Sequence, residues 1–481
     1  MPVIITLSVL FSLIVILLLV LIIRALRFKP YTEEVRSGEK IDVDVDSATS
    51  SLAEMIKCKT VSDRNKENED EAEFKKFKEL LPTLFPKVYA TCVYEEPSDR
   101  SILLRWNGKG HDAPSVLMAH YDVVSVVEEN WERDPFGAEL VDGVLWGRGT
   151  LDTKGTLNAA LCAAEKLIGE GFVPENDVYF AFGGDEEING HGASDIVNLF
   201  RERNINPAIV VDEGGAVVEN VFPGVNSPCA LIGIAEKGML NVEYSVTGGG
   251  GHSSSPAPHT PVGKLSAACV TLENKPFDFR LTPPALKMFD TLARHSSFAY
   301  RLIFANLRFF SPILSLITKV SGGELNALVR TTTAFTQMEG SKGVNVIPPY
   351  AKMVSNHRLL PGETMDSALL RIRNTVKDKK VEIRKIDGMN PSRVSDTDGE
   401  AWQRVKTAVA DTWQDAIVSP YLMLACSDSR HWNEISDKVY RFSAMALSKE
   451  ERGTIHGNNE RVPVETIRKA VEFYVRLIKK C

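Results

Sequence analysis

Residues 115–122 read SVLMAHYD, an apolar run that ends in a histidine and an aspartate. The run predicts a short buried β-strand, because its apolar residues are continuous and a polar segment follows them. His120 would then lie at the carboxyl end of that strand, where open α/β sheets bind their ligands. This stretch therefore predicts both a sheet and the edge of the sheet that carries a functional site.

Further short apolar runs follow the same pattern on both sides of this strand. Residues 101–105, 178–182 and 208–211 are predicted strands, and the Ala- and Leu-rich residues 155–169 predict a helix. Strand, loop and helix alternate along this part of the chain, which favours an α/β fold with a largely parallel sheet.

The pattern changes near residue 232. Residues 239–247, 328–337 and 352–359 alternate between apolar and polar side chains, as antiparallel strands do. We therefore predict an inserted α+β domain at residues 233–360. It would divide an α/β domain into a first part at residues 51–232 and a second part at residues 361–481, consistent with a length of 481 residues.

The N-terminus carries an uncharged run at residues 3–23 that is long enough to cross a bilayer as a helix. Positive charges follow the run at Arg24, Arg27 and Lys29 instead of preceding it, which favours an uncleaved anchor over a cleaved signal peptide. We predict a single-pass transmembrane anchor at residues 1–29 and a linker at residues 30–50. The side of the membrane on which the rest of the chain lies stays open.

Residues 277–320 are apolar and aromatic, but Pro283, Pro284 and Pro312 interrupt them. These interruptions argue against a second membrane span. Two interpretations remain: additional helices packed on the inserted domain, or an apolar lip for a hydrophobic substrate or the bilayer surface. We favour the first, because large exposed apolar patches are exceptional in soluble domains.

Composition excludes several classes of function. The net charge is −7 and no basic stripe occurs, so no nucleic-acid partner is expected. The seven cysteines are odd in number and form no C-x-x-C pair. This pattern predicts neither a thiolate zinc site nor a disulfide framework.

Imidazole and carboxylate side chains follow several of the apolar runs. Asp122 lies two residues after His120, close enough for its carboxylate to reach the second ring nitrogen. Asp152 lies in a loop of small residues where a carboxylate can bridge two ions, although alone it would be typical of a helix N-cap. Of the adjacent Glu186 and Glu187, one can bind a metal while the other accepts a proton from metal-bound water. The inventory predicts a two-metal hydrolase.

Several motifs, in their order along residues 50–475, resemble the co-catalytic zinc metallopeptidases that include carboxypeptidase S, aminoacylase and the N-acyl-amino-acid hydrolases. Within that family the chain is most similar to the carboxypeptidase S branch, given DEGG at residues 212–215, the apolar insertion and SDSRH at residues 427–431. The other motifs are MAHYDVV at 118–124, residues 146–155, GDEE at 184–187, GGHSS at 250–254, NVIP at 345–348, HRLLPG at 357–362 and IHG at 455–457.

The resemblance implies a site with two Zn²⁺ ions per subunit, at which Co²⁺ or Mn²⁺ would also be accepted. Asp152 would bridge the two ions, and the choice of Glu213 over Asp212 as a ligand stays open. The implied metal ligands are His120, Asp152, Glu187, Glu213 and His456.

The resemblance also implies roles for residues around the metals. Glu186 would be the general base and then the acid to the leaving amine, and Asp122 would orient His120. His252, on the inserted domain, would stabilise the tetrahedral oxyanion. Arg358 and Arg430 would bind the substrate carboxylate. One departure from the family pattern is Ser125, where relatives commonly carry proline, and it should alter only the stiffness of the loop.

We therefore expect a membrane-anchored zinc hydrolase that cleaves the amide bond next to a C-terminal amino acid with a free carboxylate. Hydrolysis of hydrophobic N-acyl amino acids is the alternative, motivated by the apolar residues 277–320. A catalytically silent binding protein would be expected to lack some of the ligands, and all are present. A homodimer formed through the inserted domain, acting as a lid and dimerisation domain, is a further expectation.

Overall fold

The computed structural model describes residues 2–31, 36 and 38–481; Met1 and residues 32–35 and 37, which belong to the predicted anchor and linker, lie outside the described residues. The helices are α1 (Pro2–Arg27), α2 (Val45–Ile56), α3 (Glu71–Leu84), α4 (Pro86–Thr91), α5 (Lys154–Gly169), α6 (Gly192–Glu202), α7 (Pro261–Asn274), α8 (Pro283–Ala293), α9 (Phe298–Phe304), α10 (Leu307–Ser321), α11 (Gly323–Val329), α12 (Met365–Val376), α13 (Glu400–Thr412), α14 (Lys449–Arg452) and α15 (Val464–Ile478).

The strands are β1 (Val93–Glu95), β2 (Ser101–Trp106), β3 (Gly110–His120), β4 (Leu140–Val141), β5 (Val144–Trp146), β6 (Asn176–Gly183), β7 (Ile209–Val218), β8 (Cys229–Glu236), β9 (Gly238–Thr247), β10 (Gly251–His252), β11 (Thr332–Glu339), β12 (Val346–Ile347), β13 (Tyr350–Leu359), β14 (Glu382–Met389), β15 (Ile417–Met423), β16 (Val439–Leu447) and β17 (Arg461–Pro463).

Eight strands form the large sheet, in the order β1-β2-β6-β3-β7-β16-β8-β15. Strand β3 pairs in parallel with β6 and β7, β7 with β16, and β8 with β15. The remaining pairs, β1–β2, β2–β6, β7–β8 and β8–β16, are antiparallel. The expectation of a largely parallel sheet is therefore corrected to a mixed sheet. Its pairs β1–β2 and β7–β8 join strands that follow one another in the chain, where a short connection favours antiparallel pairing.

Both faces of the large sheet are covered, which explains the continuous apolar runs in its central strands. Along β3, Leu117 and Ala119 point to one face and join the core formed with α2, α5 and α15. Val116 and Met118 point to the other face and pack with α6 and Trp432. The two-residue period of the strand thus divides one apolar run between two cores.

The small sheet has the antiparallel order β11-β13-β9-β14, with α7 and α12 packed against it. Alternate residues of β9, among them Leu240, Val242 and Tyr244, form its core. The last strand of this sheet is β14, so the sheet continues past residue 360, at which the predicted inserted domain ends. The division of the chain into domains stays a prediction.

The apolar segment at residues 277–320 does not pack as favoured from the sequence. Helix α8 lies against β15 at the edge of the large sheet, and its residues Met288, Phe289 and Leu292 join the core of that sheet. Helices α9 and α10 follow, in contact with α8, α11 and α1. Helices α8 and α9 therefore pack on the large-sheet body, whereas Phe277, at the start of the segment, joins the core of the small sheet.

The N-terminal apolar run forms one continuous helix. Its most apolar 18 residues have a mean hydropathy of 3.2, and none of them is buried against the rest of the chain. By length and composition it can cross a membrane. Helix α2 begins at Val45, so the predicted linker at residues 30–50 ends in a helix whose N-cap, Asp44, accepts a hydrogen bond from Ser47.

Candidate active site

Three of the predicted metal ligands lie together at the carboxyl end of the large sheet. His120 ends β3, Glu187 lies in a short helix directly after β6, and Asp152 lies just before α5. Each offers one ligand atom, and these atoms all lie within 4.8 Å of one another. Because β3 and β6 are parallel neighbours, their carboxyl ends bring His120 and Glu187 to the same edge.

Asp152 lies between two imidazoles. Its Oδ1 is 2.9 Å from Nε2 of His120, and its Oδ2 is 3.1 Å from Nε2 of His456. The same nitrogen of His456 lies 3.0 Å from Oε1 of Glu187. Each carboxylate oxygen of Asp152 thus faces a different histidine, which is the arrangement that a carboxylate bridging two ions requires.

Asp122 is fully buried and organises this end of the sheet. Nδ1 of His120 lies 3.2 Å from Oδ1 of Asp122 and 3.0 Å from its carbonyl oxygen. Both neighbours accept hydrogen bonds, so Nδ1 carries a proton, and Nε2, which faces Asp152, is the nitrogen that would bind a metal. The Asp122 carboxylate also accepts hydrogen bonds from Ser62 Oγ and from the backbone N–H groups of Glu186 and Glu187. One side chain therefore orients a histidine and the turn that carries the glutamate pair.

The loop that carries Asp152 is held by Glu460, a buried residue that the sequence analysis did not identify. Its carboxylate accepts hydrogen bonds from the backbone N–H groups of Leu151 (2.7 Å), Asp152 (3.2 Å) and Gly149 (3.1 Å). Arg148 pairs with the same carboxylate. The only sequence signal was its place four residues after His456, and a lone glutamate there is not distinctive.

Carboxylates crowd the site and affect one another. Burial raises the pKa of Glu186 well above its ordinary value, and the negative charges of Asp428, Glu187 and Asp122 raise it further. Burial likewise raises the pKa of Glu187. Hydrogen bonds with Asp152 and Glu187 raise the pKa of His456 to about 10. So much negative charge in a partly buried cleft fits bound cations, which would relieve the repulsion between these groups.

The neighbouring Asp212 and Glu213 have different surroundings. Asp212 is buried, and its Oδ2 accepts a hydrogen bond of 3.0 Å from the backbone N–H of Ser429. Burial raises the pKa of Glu213, and the negative charge of Asp212 raises it further. Among the weaker electrostatic effects, His120 lowers this pKa and Glu186 raises it. Glu213 is therefore within electrostatic range of His120 and Glu186 and hydrogen-bonds with Asp212, whereas Asp212 also holds the 427–429 loop.

The two predicted substrate-binding arginines both contact the segment at residues 426–427. Arg358 donates to Sγ of Cys426 at 3.4 Å, and Arg430 donates to the carbonyl oxygen of Ser427 at 3.1 Å. Burial raises the pKa of the Cys426 thiol to about 11, and the charges of Arg358, Arg430 and Glu186 also act on it. Both guanidinium groups therefore lie around Cys426, whose thiol is also within electrostatic range of Glu186.

His252 lies apart from this cluster. It is exposed on the two-residue strand β10, where it pairs with Val346 of β12. Its Nδ1 lies 2.8 Å from Oγ of Ser254. Among the residues that the structure describes, no hydrogen bond or ion pair joins His252 to the metal-ligand cluster, so its assignment to the oxyanion stays a prediction.

Comparison with known proteins agrees with the geometry of this site. The chain is 35% identical over 478 residues to the probable carboxypeptidase S-like 2 of Dictyostelium discoideum, covering 96% of this chain and 92% of the relative. It is 37% identical over 430 residues to the N-fatty-acyl-amino acid synthase/hydrolase PM20D1 of Xenopus tropicalis, covering 88% of this chain and 84% of the relative.

The fold has counterparts among solved structures. The M20 family metallo-carboxypeptidase Sso-CP2 of Sulfolobus solfataricus superimposes with a TM-score of 0.65 at 18% sequence identity, over 90% of this chain and 98% of that one. The model of peptidase family M20/M25/M40 matches residues 116–480, a range that runs from β3 through every predicted ligand. The chain therefore belongs to peptidase family M20/M25/M40.

Proposed function

We propose that this chain is a metal-dependent hydrolase that cleaves the amide bond next to a C-terminal amino acid with a free carboxylate, as a carboxypeptidase does. Membership of a peptidase family gives the reaction class. The observation that carries the proposal is the position of Asp152, whose two oxygens face His120 and His456 at 2.9 and 3.1 Å while Glu186 stays outside that contact.

Two Zn²⁺ ions suit this donor set, and Co²⁺ or Mn²⁺ would be accepted by the same groups. His120, Asp152 and Glu213 would hold one ion, and Asp152, Glu187 and His456 the other. Bound cations would polarise the amide carbonyl and lower the pKa of water, which makes hydrolysis fast near neutral pH.

Glu186 is the residue best suited to move protons. Among the residues that the structure describes, no hydrogen-bond partner is recorded for its carboxylate, so its oxygens are available. Burial raises its pKa from the ordinary value toward neutral pH, and a general acid–base catalyst works best when its pKa lies near the working pH. Glu186 would accept a proton from the attacking water and then donate it to the nitrogen of the leaving amine. Asp122 would keep the turn that carries Glu186 in place through the 3.2 Å hydrogen bond.

Arg358 and Arg430 would bind the carboxylate of the substrate, because both lie around Cys426, within electrostatic range of Glu186, and guanidinium groups bind carboxylates with two parallel hydrogen bonds. His252 lies on the part of the chain predicted as a lid. Closure of that part over a bound substrate would bring its imidazole to the developing oxyanion and exclude water.

Hydrophobic N-acyl amino acids are the second candidate substrate class. The Xenopus relative is an N-fatty-acyl-amino acid synthase/hydrolase by name, and it is 37% identical to this chain. Both substrate classes present an amide next to a free carboxylate, so the same catalytic groups would serve. Comparison of kcat/KM for short dipeptides and for long-chain N-acyl amino acids distinguishes them, and a strict preference for dipeptides would exclude the lipid-like class.

We also propose that α1 anchors the chain in a membrane, and that the small-sheet region contributes to a homodimer. The anchor rests on a mean hydropathy of 3.2 over the most apolar 18 residues of α1 and on the exposure of all of these residues. Extraction of the full-length chain from membranes by detergent, but not by high salt or carbonate, would support the anchor.

The decisive experiment replaces Glu186 with glutamine in the full-length chain. We expect Glu186→Gln to lose turnover by about 10²-fold or more, the contribution of general acid–base catalysis, while metal content stays near that of the unsubstituted chain. Glu175→Gln, at an exposed glutamate paired with Lys109, is the matched control. Loss of metal in Glu186→Gln, or full activity, would contradict the assignment. Bound metal without hydrolysis of any amide in the unsubstituted chain would indicate a binding protein.

A further inference from the structure

Helices α9 and α10 present an apolar surface that nothing in the described chain covers. They form a bent pair with an angle of 102° between them, broken at residues 305–306. The exposed fractions of the side chains on this surface range from 41% to 80%. Its members are Phe298, Phe309, Ile313, Leu316, Ile317 and Val320, and we call them the α9–α10 surface.

The α9–α10 surface lies beside the end of the N-terminal apolar helix. Helix α1 contacts α9, and the buried Nδ2 of Asn306 donates a hydrogen bond of 3.0 Å to the carbonyl oxygen of Leu21. Leu21 and Ala25 are buried residues of α1, so the contact involves the last turns of that helix. The surface is thus continuous with the apolar stretch that we propose to lie in a membrane.

A second contact holds the segment that leaves α1. Arg294, directly after α8, donates to the carbonyl oxygen of Lys29 at 3.0 Å and lies over the rings of Phe28 and Tyr31. Tyr31 in turn donates to Asp290 at 2.7 Å. The segment that follows α1 is therefore held against the C-terminal end of α8, the helix that precedes the α9–α10 surface.

Charge also favours a lipid partner over a protein partner at this surface. Residues 298–321 contain Arg301, Arg308 and Lys319 and no acidic side chain. Arg24 and Arg27 add two further positive charges in the last turn of α1. An apolar face with basic residues at its border is typical of helices that lie in the interface of a membrane with anionic lipids.

The dimensions exclude a second full span. Helix α10 has 15 residues and contains Pro312, which makes it about 22 Å long, shorter than the hydrocarbon core of about 30 Å. An amphipathic helix of this length lies parallel to the bilayer, with its apolar side chains at the boundary between headgroups and acyl chains.

We propose that the α9–α10 surface inserts into the interface of a phospholipid bilayer, in the leaflet from which α1 emerges, as a second membrane contact. The proposal rests on the membrane anchor proposed above. Two contacts instead of one fix the orientation of the large sheet relative to the bilayer, because a single helix end leaves the body free to tilt.

The test uses the full-length chain in vesicles of phosphatidylcholine and phosphatidylserine. Cysteine is introduced at Leu316 on α10 (63% exposed), at Leu10 within α1, and at Leu140 on β4 (56% exposed) as the matched control. Each variant carries an environment-sensitive fluorophore, and the unsubstituted chain gives the background from its native thiols. We expect nitroxide-labelled lipids to quench Leu316→Cys and Leu10→Cys strongly, and an aqueous quencher to act mainly on Leu140→Cys.

The outcomes separate this inference from the anchor. Quenching by lipid at Leu10→Cys without quenching at Leu316→Cys would overturn the proposal and leave the anchor standing. Quenching at Leu316→Cys alone would remove the anchor, and with it the proposal that this surface is a second contact beside α1. A shift of Leu316→Cys to an apolar emission that lipid nitroxides do not quench would identify a second protein copy as the partner, and would also overturn the proposal.

Discussion

Arg148 and Glu460 lie 312 residues apart in the chain and form a buried ion pair of 2.6 Å between Nη1 and Oε2. The same carboxylate accepts the backbone N–H groups on both sides of Leu151, so the pair fixes the loop that presents Asp152. Removing one partner of such a pair leaves a buried charge uncompensated, which is costly. Glu460 is therefore a positioning residue for the candidate metal centre.

We predict that Glu460→Gln lowers metal affinity by about 10- to 100-fold, as loss of a partner outside the metal's direct ligands does. The amide nitrogen would face backbone N–H groups and could not accept from them. Metal content is measured against a chelator series, together with kcat. Glu465→Gln, at an exposed glutamate paired with Arg468, is the control. Unchanged metal affinity in Glu460→Gln would mean that the loop keeps its shape without this carboxylate.

A second prediction concerns Asp122. Asp122→Asn removes the charge that holds the Nδ1 proton of His120 and replaces one acceptor of the Glu186 and Glu187 N–H groups with a donor. We expect metal affinity to fall by about 10- to 100-fold and kcat to fall with it. Asp112→Asn, at the exposed start of the same strand, should change neither. Normal activity with normal metal content in Asp122→Asn would contradict its orienting role.

The third prediction decides between Asp212 and Glu213. Glu213→Gln should lose metal, because the Glu213 carboxylate is coupled electrostatically to His120 and Glu186. Asp212→Asn should retain metal but lower the free energy of unfolding by about 1–3 kcal/mol, because a buried hydrogen bond to Ser429 N–H is weakened. Metal analysis and urea unfolding of both variants give the answer. The opposite result would make Asp212 the ligand.

Sequence reasoning succeeded where the signal was local. The strand that ends at His120 was predictable because an apolar run stops at a polar residue, and β9 and β13 were predictable from their alternation. Family membership, expected from the motifs, is confirmed. The ligand set and the catalytic roles stay predictions, although the structure brings His120, Asp152 and Glu187 together.

Contacts between distant parts of the chain could not be predicted in this way. Glu460 reaches the Asp152 loop across more than 300 residues, and nothing in its local sequence indicates that partner. The placement of α8 on β15 was missed for the same reason, since an apolar helix face does not reveal which sheet it covers. Strand direction was also misjudged, because an apolar run in a sheet covered on both faces looks the same whether its neighbours are parallel or antiparallel, as β2 with β6 and β7 with β8 show.

The last prediction concerns stability at acid pH and depends on His357, which is fully buried in β13. Its ring nitrogens lie 2.7 Å from Oγ of Ser355 and 3.0 Å from Oγ1 of Thr333, and burial lowers the pKa of the imidazole to about 4. In the unfolded chain the imidazole has its ordinary pKa of about 6.5. Between pH 6.5 and pH 4 it is therefore protonated in the unfolded chain and neutral in the folded chain. The stabilising contribution of neutral His357 is therefore complete above pH 6.5 and is lost as the pH falls toward 4.

Replacing His357 with glutamine removes this titration while keeping groups that can hydrogen-bond to the two hydroxyls. From pH 7 to pH 5, the unsubstituted chain should lose about 1–2 kcal/mol more of its free energy of unfolding than His357→Gln does. The comparison between the two chains cancels the titration of the metal ligands, which both share. Urea unfolding at pH 7, 6 and 5 measures the difference. Parallel losses in the two chains would show that His357 does not couple folding to pH, and that acid sensitivity arises elsewhere, most directly among the carboxylates and imidazoles of the metal centre.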